Sequence, residues 1–507
     1  MSRLKRAGMS VVVGQGFMIA GTLVSFLTVP LYLGWLGDTR YGLMLTALAC
    51  AGYLMFSDAG LSWSSMLLIS HASGRKDRAE IARIVRNSFT LAILSALVVF
   101  CVVVPAAWWL HDGHALPFFP RSEEAAGLCL AVGLQVMCSL LVSPAYNVFI
   151  GLQEGYIAAA FQGSGRLLAS LAALGMAWRG GTLGWIVAAG AGVNLAFGLL
   201  AFLYARRQHG WAFRLGNFFD AHQIRTQLRT GAKSFGFQIG AVLLGTAPVF
   251  AISSQAGPEF VPLFTVPLTL ITLPLSFLAT LNANLQAGYG EAFAAGDHPW
   301  VAGTLRKIII TSLLLVLPLA VGHALLGGAF IELWTRGRLA GETLAITSAL
   351  AVGVITSFLS TARFALSGIN RHRQAALGEI TNGLLALALA PLLVKFLGYQ
   401  FVGVAIVLAT LATSGWILPR ELMRHLKGLP LWPSASVVLR FVLAAALSAG
   451  FSFWLGRVLP VAPALRVPIV GACIAGVYFS VLWLIAREQF TPFVALARRA
   501  FHRRARS

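Results

Sequence analysis

Fourteen stretches of about twenty or more largely apolar residues follow one another along this chain, and short gaps separate them. A helix of about twenty apolar residues is long enough to cross the hydrocarbon core of a bilayer. The chain is 58% hydrophobic and 11% charged, whereas soluble domains carry about 25% charged residues. We therefore predict an all-α polytopic membrane protein with fourteen transmembrane helices. The predicted spans are residues 9–34, 41–70, 88–110, 125–149, 157–178, 183–205, 234–255, 261–288, 308–331, 343–366, 375–394, 401–419, 437–456 and 467–486.

The positive charges are distributed unevenly between the gaps. Of the 38 Lys and Arg residues, 27 lie in the two termini and in alternate gaps, whereas 8 lie in the opposite gaps. Three more, Arg166, Arg363 and Arg440, lie inside spans. Because positively charged loops stay in the cytoplasm, we predict a multi-pass protein of the bacterial inner membrane with both termini inside. The net charge of +21 then indicates topology and contact with anionic membrane lipids, and we expect no nucleic acid partner.

The sequence contains little that would bind a metal or a cofactor. All five cysteines lie inside spans, where they behave as small apolar residues. The segment HDGH, from His111 to His114, is the one cluster of metal-ligand types outside the spans, and it lacks further ligands at suitable spacing. No phosphate-binding glycine loop or nucleophile motif occurs. We expect no cofactor, no metal site and no enzymatic activity.

The chain repeats itself weakly with a period of about 220 residues, and internal repeats of this kind are common in transporters. One match within this repeat relates the gaps at 71–86 and 293–307, each of which is a turn followed by a basic amphipathic segment. Six spans separate the two copies, so both have the same orientation and a pseudo-twofold axis along the membrane normal relates them. The aligned pairs are Gln15 with Gln238, Gly151 with Gly368, and Gln162 with Glu379.

This repeat predicts the organisation of the chain. Residues 1–206 form an N-lobe of six helices, and residues 207–233 form a cytoplasmic amphipathic linker. Residues 234–424 form a C-lobe of six helices, and residues 425–507 add two helices and a basic cytoplasmic tail.

Two acidic residues lie inside predicted spans. A charge near the bilayer centre costs about 2.5 to 3.5 kcal/mol on insertion scales, so each is a candidate for function. Asp58 lies past the middle of span two, and Glu379 lies near one end of span eleven. We hypothesise that both take part in ion coupling. For Asp58 the alternative is structural, because Ser57 and Asp58 would cap a second half-helix that begins near Gly60.

Arg166 is the best candidate for binding an anion, because it lies near the middle of span five. Gln162 and Ser170 lie one helical turn away on either side, and such a polar stripe must face protein or a water-filled cavity. For the amides the alternative role is hydrogen bonding between helices, and for Arg363 it is extension of the side chain to the membrane surface. The predicted substrate-binding residues are Arg166, Gln162, Gln15, Gln238, Asn282, Gln286 and Arg363.

Three short motifs carry a resemblance to a known family. An lGxxxYG turn is present as Leu36, Gly37, Tyr41 and Gly42, and a D-x-G-l element as Asp58, Gly60 and Leu61. Together with FIGLQEGY at residues 149–156, they resemble Wzx-like oligosaccharide flippases. These flippases form the polysaccharide branch of the multidrug, oligosaccharidyl-lipid and polysaccharide exporter superfamily. Lipid II flippases have an Arg- and Asp-rich first helix, whereas span one here has no charged residue.

The resemblance implies a two-lobe bundle around a central cavity that works by alternating access. Its substrate would be a polyprenyl-pyrophosphate-linked oligosaccharide of O-antigen, lipopolysaccharide or exopolysaccharide synthesis, and a polymerase or glycosyltransferase machinery would be a partner. Two other classes stay open. A multidrug exporter of the same superfamily would use acidic residues for cationic substrates. A membrane-embedded glycosyltransferase or polymerase would need catalytic groups on substantial external loops, and the external gaps here are short.

Overall fold

The computed structural model describes residues 3–116, 122–213, 219–339, 343–369, 371–459 and 462–487. These residues form fifteen α-helices and four short 3₁₀ helices, and they contain no β-strand. In chain order the α-helices are α1 (Arg3–Leu54), α2 (Leu61–Gly74), α3 (Arg78–His111), α4 (Ala125–Gly151), α5 (Gly155–Trp178), α6 (Leu183–Gln208), α7 (Ala221–Gln255), α8 (Val261–Ala294), α9 (His298–Trp334), α10 (Thr343–Gly368), α11 (His372–Leu397), α12 (Val402–Ala412), α13 (Ser414–His425), α14 (Ala435–Val458) and α15 (Pro463–Ile485).

The helices account for all fourteen predicted spans. Twelve segments of the described residues are long and apolar enough to cross a membrane. The first of them, Val12–Asp58, includes most of the first predicted span and most of the second, because α1 continues through a non-helical residue, Gly37, with φ 75° and ψ 173°. Glycine adopts this conformation without the steric cost that a side chain would add. Helix α7 contains the seventh span. The prediction of an all-α polytopic membrane protein is confirmed.

Aspartate side chains cap three helices that begin in the basic gaps. The carboxylate of Asp77 accepts a hydrogen bond from the Glu80 N–H at 2.9 Å, and that of Asp297 accepts one from the Trp300 N–H at 3.1 Å. Such caps satisfy N–H groups that have no partner inside the helix. Asp220 caps α7 in the same way. The two gaps that the repeat aligns, before α3 and before α9, therefore share their local structure.

The chain divides into two compact units. The first unit consists of Met1–Pro262 and Ala376–Ala409, and thus contains α1 to α7 and most of α11 and α12. Small residues bring its helices close together. For example, a Cβ atom at Gly184 of α6 would lie 2.9 Å from the Gly127 carbonyl of α4. The lobe boundaries drawn from the repeat stay a prediction.

The second unit consists of Leu263–Ala375 and Thr410–Ser507. In its described part, the last helix pair, α14 and α15, packs on α9. The Tyr478 hydroxyl donates to the Leu313 carbonyl at 3.1 Å, and the Ser448 hydroxyl donates to the Ile474 carbonyl at 2.8 Å. A buried cluster around Phe441 and Tyr478 surrounds these bonds. The added pair is thus part of this unit's core, whereas most of the predicted basic tail lies outside the described residues.

Candidate functional site

Arg166 lies on α5, which packs between α1 and α6 in the first unit. Glycines make these contacts possible: Gly163 lies against the Phe17 ring of α1, and Gly165 lies against Phe197 of α6. Arg166 itself is exposed, and it is close enough to Tyr146 of α4 to interact with it electrostatically. No hydrogen bond or ion pair joins its guanidinium to any residue that the structure describes. An exposed, unpaired guanidinium is available to bind an anion.

The polar stripe around Arg166 offers fewer groups to a ligand than the sequence predicts. The Ser170 hydroxyl donates to the backbone carbonyl of Arg166 at 2.9 Å, so its proton is already used. Gln162 is half-buried, and its amide makes no hydrogen bond within the described part of the chain. The stripe therefore offers one guanidinium and one amide to a ligand.

Gln15 and Gln238, which the repeat aligns, occupy similar environments in the first unit. Both are half-buried, Gln15 on α1 and Gln238 on α7. Among the described residues neither side chain has a hydrogen-bonded partner, and no hydrogen bond joins either of them to Arg166. Their role in substrate binding stays a prediction.

Asn282 and Gln286 of α8 bond to α10 in the second unit. The Asn282 amide donates to the Ser360 hydroxyl at 3.2 Å and to the Thr361 hydroxyl at 3.1 Å. One turn later, the Gln286 amide donates to the Ser367 hydroxyl at 3.0 Å. These bonds are interhelical, the alternative role considered for such amides.

Arg363 of α10 lies in the same unit and is half-buried. Its guanidinium carbon is 5.5 Å from the centre of the neighbouring Phe364 ring, at the distance of a cation–π contact.

Asp58 lies at a break in the second predicted span. A 3₁₀ turn, Met55–Asp58, ends at Ala59 and Gly60, which have φ values of 47° and 75°, and α2 begins at Leu61. Asp58 is 8% exposed, and its carboxylate accepts hydrogen bonds from the N–H of Ser62 at 3.2 Å and from its hydroxyl at 2.9 Å. Asp58 therefore satisfies a free N–H in the first turn of α2, as the capping alternative expects of it, whereas the Ser57 hydroxyl makes no hydrogen bond within the described residues.

A chain of hydroxyls extends from Asp58. The Ser62 hydroxyl also lies 2.9 Å from the Ser143 hydroxyl of α4. Since Ser62 has a single hydroxyl proton and gives it to Asp58, Ser143 is the donor in that contact. This chain links the break in span two to α4.

Glu379 of α11 is buried against α7. It is 3% exposed, and a Cβ atom at Gly240 of α7 would collide with its backbone and its Cβ. One turn later, a Cβ atom at Gly383 would lie 2.6 Å from the Leu243 side chain. The acidic group is thus enclosed where two helices approach closely.

The motifs that carry the family resemblance lie where helices of the first unit break or end. Gly37 breaks α1, and the Arg40 guanidinium three residues later binds both carboxylate oxygens of Glu124, at 2.7 and 3.3 Å. A Cβ atom at Gly42 would collide with the Pro258 carbonyl. Sequence reasoning did not predict the Arg40 pair, since 84 residues separate its partners.

The first residues of the predicted linker pack near the end of α4. Glu154, from the motif at 149–156, lies 2.9 Å from the His209 imidazole. Next to it, Ala212 is fully buried, and Trp211 lies 5.3 Å from the Arg78 guanidinium. Residues 209–213 are therefore docked on the first unit, residues 214–218 lie outside the described residues, and residues 221–233 form the first turns of α7.

The helical bundle is that of transporters of known structure. It resembles "Lipid II flippase MurJ, inward closed conformation" with a TM-score of 0.67 and 13% identity, over 94% of this chain and 98% of that one. It also resembles an outward-facing MATE multidrug transporter (TM-score 0.58, 15% identity, 83% and 96% covered). A transporter of the MOP superfamily from Pyrococcus furiosus, described as having a binding pocket of reverse polarity, is similar too (0.53, 16%, 83% and 95%).

The sequence identifies the family more closely than the fold does. The polysaccharide biosynthesis protein family matches residues 10–284, more than half of the chain, and the chain belongs to this family. No curated protein sequence matches it. The resemblance to the polysaccharide branch of the exporter superfamily is confirmed.

Proposed function

We propose that this protein moves a polyprenyl-pyrophosphate-linked oligosaccharide from one leaflet of the membrane to the other by alternating access. It acts as a transporter and not as an enzyme. Membership of a polysaccharide biosynthesis family and a fold shared with a lipid II flippase support this function. O-antigen, lipopolysaccharide and exopolysaccharide synthesis are the pathways that use such a substrate, and a polymerase or glycosyltransferase would act next to it.

The observation that carries the proposal is the exposed guanidinium of Arg166. A pyrophosphate is a compact anion with several acceptor oxygens, and guanidinium binds such groups with two parallel hydrogen bonds. Arg166 lies in a membrane-spanning helix without an acidic partner among the described residues. Since an unpaired charge inside a membrane segment is costly, it is retained for a ligand or a water-filled path.

The rival function, export of cationic drugs, is less well supported. A site for cations needs a carboxylate that the substrate can reach. Asp58 is 8% exposed and already accepts two hydrogen bonds from Ser62, and Glu379 is 3% exposed. Both acidic groups fit ion coupling better than substrate binding, because a proton or a small cation reaches buried sites that a drug cannot. We therefore assign the ion-coupling role to Asp58 and Glu379.

A reconstituted system tests the function. The purified chain is placed in liposomes with a polyprenyl-pyrophosphate-linked oligosaccharide that carries a fluorophore on its glycan. A reductant that cannot cross the membrane then quenches the outer leaflet. Protein-free vesicles should lose about half of the signal, and vesicles with the protein should lose nearly all of it. Quenching that stops at half with folded protein would contradict the proposal, and uptake of ethidium in the same vesicles would favour the drug exporter.

We further propose an inner-membrane location with both termini in the cytoplasm, on the basis of the uneven Lys and Arg distribution. A cysteine placed beside Arg503, which lies outside the described residues, should resist an impermeant thiol reagent in intact spheroplasts. Labelling without permeabilisation would show that the orientation is wrong.

A further inference from the structure

A cavity of about 750 Å³ lies in the second unit between α9, α14 and α15. It lies at the ends of three membrane helices: the C-terminal end of α9, the C-terminal end of α14 and the N-terminal end of α15. The lining is apolar except for Glu332, Arg336, Ser452, Arg457 and Arg466. Three guanidiniums against one carboxylate give this cavity a net positive charge.

The three arginines are exposed, and none of them forms an ion pair with a described residue. Arg466 of α15 lies over Gly456 of α14, and a Cβ atom there would be 3.5 Å from its Nη2. Arg457 lies 4.4 Å from the Phe453 ring centre, and Arg336 lies in the turn that follows α9. In the part of the chain that the structure describes, no carboxylate is within ion-pair distance of any of the three.

A buried hydroxyl in the same lining has no hydrogen-bond partner among the described residues. Ser452 is 1% exposed, and its Oγ bonds to no atom of the part of the chain that the structure describes. Its neighbour one turn earlier, Ser448, donates to the Ile474 carbonyl across the helix pair. A buried hydroxyl without a hydrogen-bond partner is unfavourable. It points to a polar group that enters the cavity from outside the chain.

A second cavity of about 680 Å³ continues from the first along α9 and α15. The two share Leu326 and Val467 in their linings. The second cavity has no charged group in its lining, which comes from α8, α9 and α15. His323 is its most polar member and bonds to the Ile346 carbonyl at 3.2 Å.

We propose that the two cavities together bind one anionic phospholipid of the surrounding bilayer. Its phosphate lies among Arg336, Arg457 and Arg466 at the membrane edge, where charged headgroups lie, and its acyl chains occupy the apolar cavity. A soluble anion would use the cationic end alone and leave the apolar continuation unoccupied. The bound lipid contacts α9, α14 and α15 together. This site does not depend on which substrate is transported.

The test uses the purified full chain in micelles of an uncharged detergent. Adding phosphatidylglycerol should raise the unfolding temperature, and native mass spectrometry should detect one retained phosphatidylglycerol. In the double variant Arg457→Gln with Arg466→Gln, the half-saturating phosphatidylglycerol concentration should rise about tenfold or more, because charge-assisted hydrogen bonds are lost. The matched control is Arg179→Gln, an exposed arginine at the end of α5, which should leave it unchanged.

Three results would overturn the proposal. One is a variant that binds phosphatidylglycerol as well as the parent chain. Another is an equal stabilisation by inorganic pyrophosphate, which would indicate a site for free phosphates. The third is selective retention of a polyprenyl phosphate over phosphatidylglycerol, which would assign the groove to the carrier lipid. If the double variant does not fold, Arg336→Gln, in an exposed turn, replaces it, and its half-saturating phosphatidylglycerol concentration is compared with that of the parent chain.

Discussion

Helices α5 and α11 occupy equivalent places in the internal repeat, but they use their polar positions in opposite ways. The alignment pairs Gln162 with Glu379, and so places Arg166 opposite Gly383. Arg166 is exposed, whereas Glu379 is 3% exposed and Gly383 lies against Leu243. Helix α5 thus presents a cation, and α11 encloses an acid in its contact with α7.

This difference indicates that the two copies of the repeat share the order of their helices but not the polar residues at aligned positions. The same holds for the second helix of each repeat. The first copy breaks at Asp58, whereas α8 runs without interruption past Asn282, which bonds to α10. Of the charged groups that we assign to transport, Arg166 and Asp58 lie in the first copy and Glu379 lies in the second. In the second copy, Gly383 and Asn282 contact neighbouring helices.

The largest expected effect comes from removing the exposed cation. Arg166→Ala should lower glycan-lipid flipping by about tenfold or more, since a hydrogen bond to a charged group contributes about 1.5 to 3 kcal/mol. The flipping rate of Arg166→Lys should lie between those of the parent chain and Arg166→Ala, because an ammonium keeps the charge and loses the two-point contact. Flipping in liposomes and protein abundance in the membrane are measured together.

The control for Arg166 is Arg179→Ala at the exposed end of the same helix. It should retain both flipping and abundance. If Arg166 instead served helix packing, Arg166→Ala would lower abundance and not the flipping rate per folded molecule. Full activity of Arg166→Ala would refute its assignment to the pyrophosphate.

The next effect concerns the closed contact between α11 and α7. Gly240→Ala places a Cβ where Glu379 already lies, and overpacking of this kind costs about 1 to 3 kcal/mol. We expect a lower unfolding temperature in detergent and reduced abundance. Gly245→Ala, on the same helix, meets no described atom within 4 Å and should leave stability equal or slightly higher. Equal stability of the two variants would show that the α7 and α11 contact is looser than described.

Hydropathy and charge were sufficient to predict the helices, because each span is decided by its own residues. The repeat also predicted the shared turns before α3 and α9 from local sequence alone. The ion pairs near the breaks and ends of the helices were not predictable in this way. Arg40 and Glu124, or Glu154 and His209, are far apart in sequence, and one sequence does not show which distant charges meet.

The candidate site shows the same limit. Polarity inside a span identified Asn282 and Gln286 as candidates, but their hydroxyl partners on α10 are 78 to 81 residues away. A polar residue in a membrane helix satisfies its hydrogen bonds either with another helix or with a ligand, and only the packing distinguishes these outcomes. Arg166 stays a candidate because packing gives it no such partner among the described residues.

A third prediction separates the two acidic groups. Asp58→Asn keeps an oxygen that can accept from Ser62, and it removes the negative charge. If Asp58 couples an ion to transport, flipping should no longer respond to an imposed ion gradient, while abundance stays normal. Glu379→Gln provides the comparison on the α11 side. A gradient response that survives in Asp58→Asn would leave Asp58 with its capping role alone.

The smallest expected effect comes from making α5 more like α11. Gln162→Glu introduces the acid of the equivalent position one turn before Arg166, in the orientation that favours a pair between residues four apart. Such a pair contributes about 0.2 to 0.5 kcal/mol, so flipping should fall about twofold as the carboxylate competes with the substrate for the guanidinium. Gln162→Ala removes the amide without adding charge and should change flipping less. If both variants flip equally well, the guanidinium of Arg166 is not where the pyrophosphate binds, and the contrast between the two helices is one of packing alone.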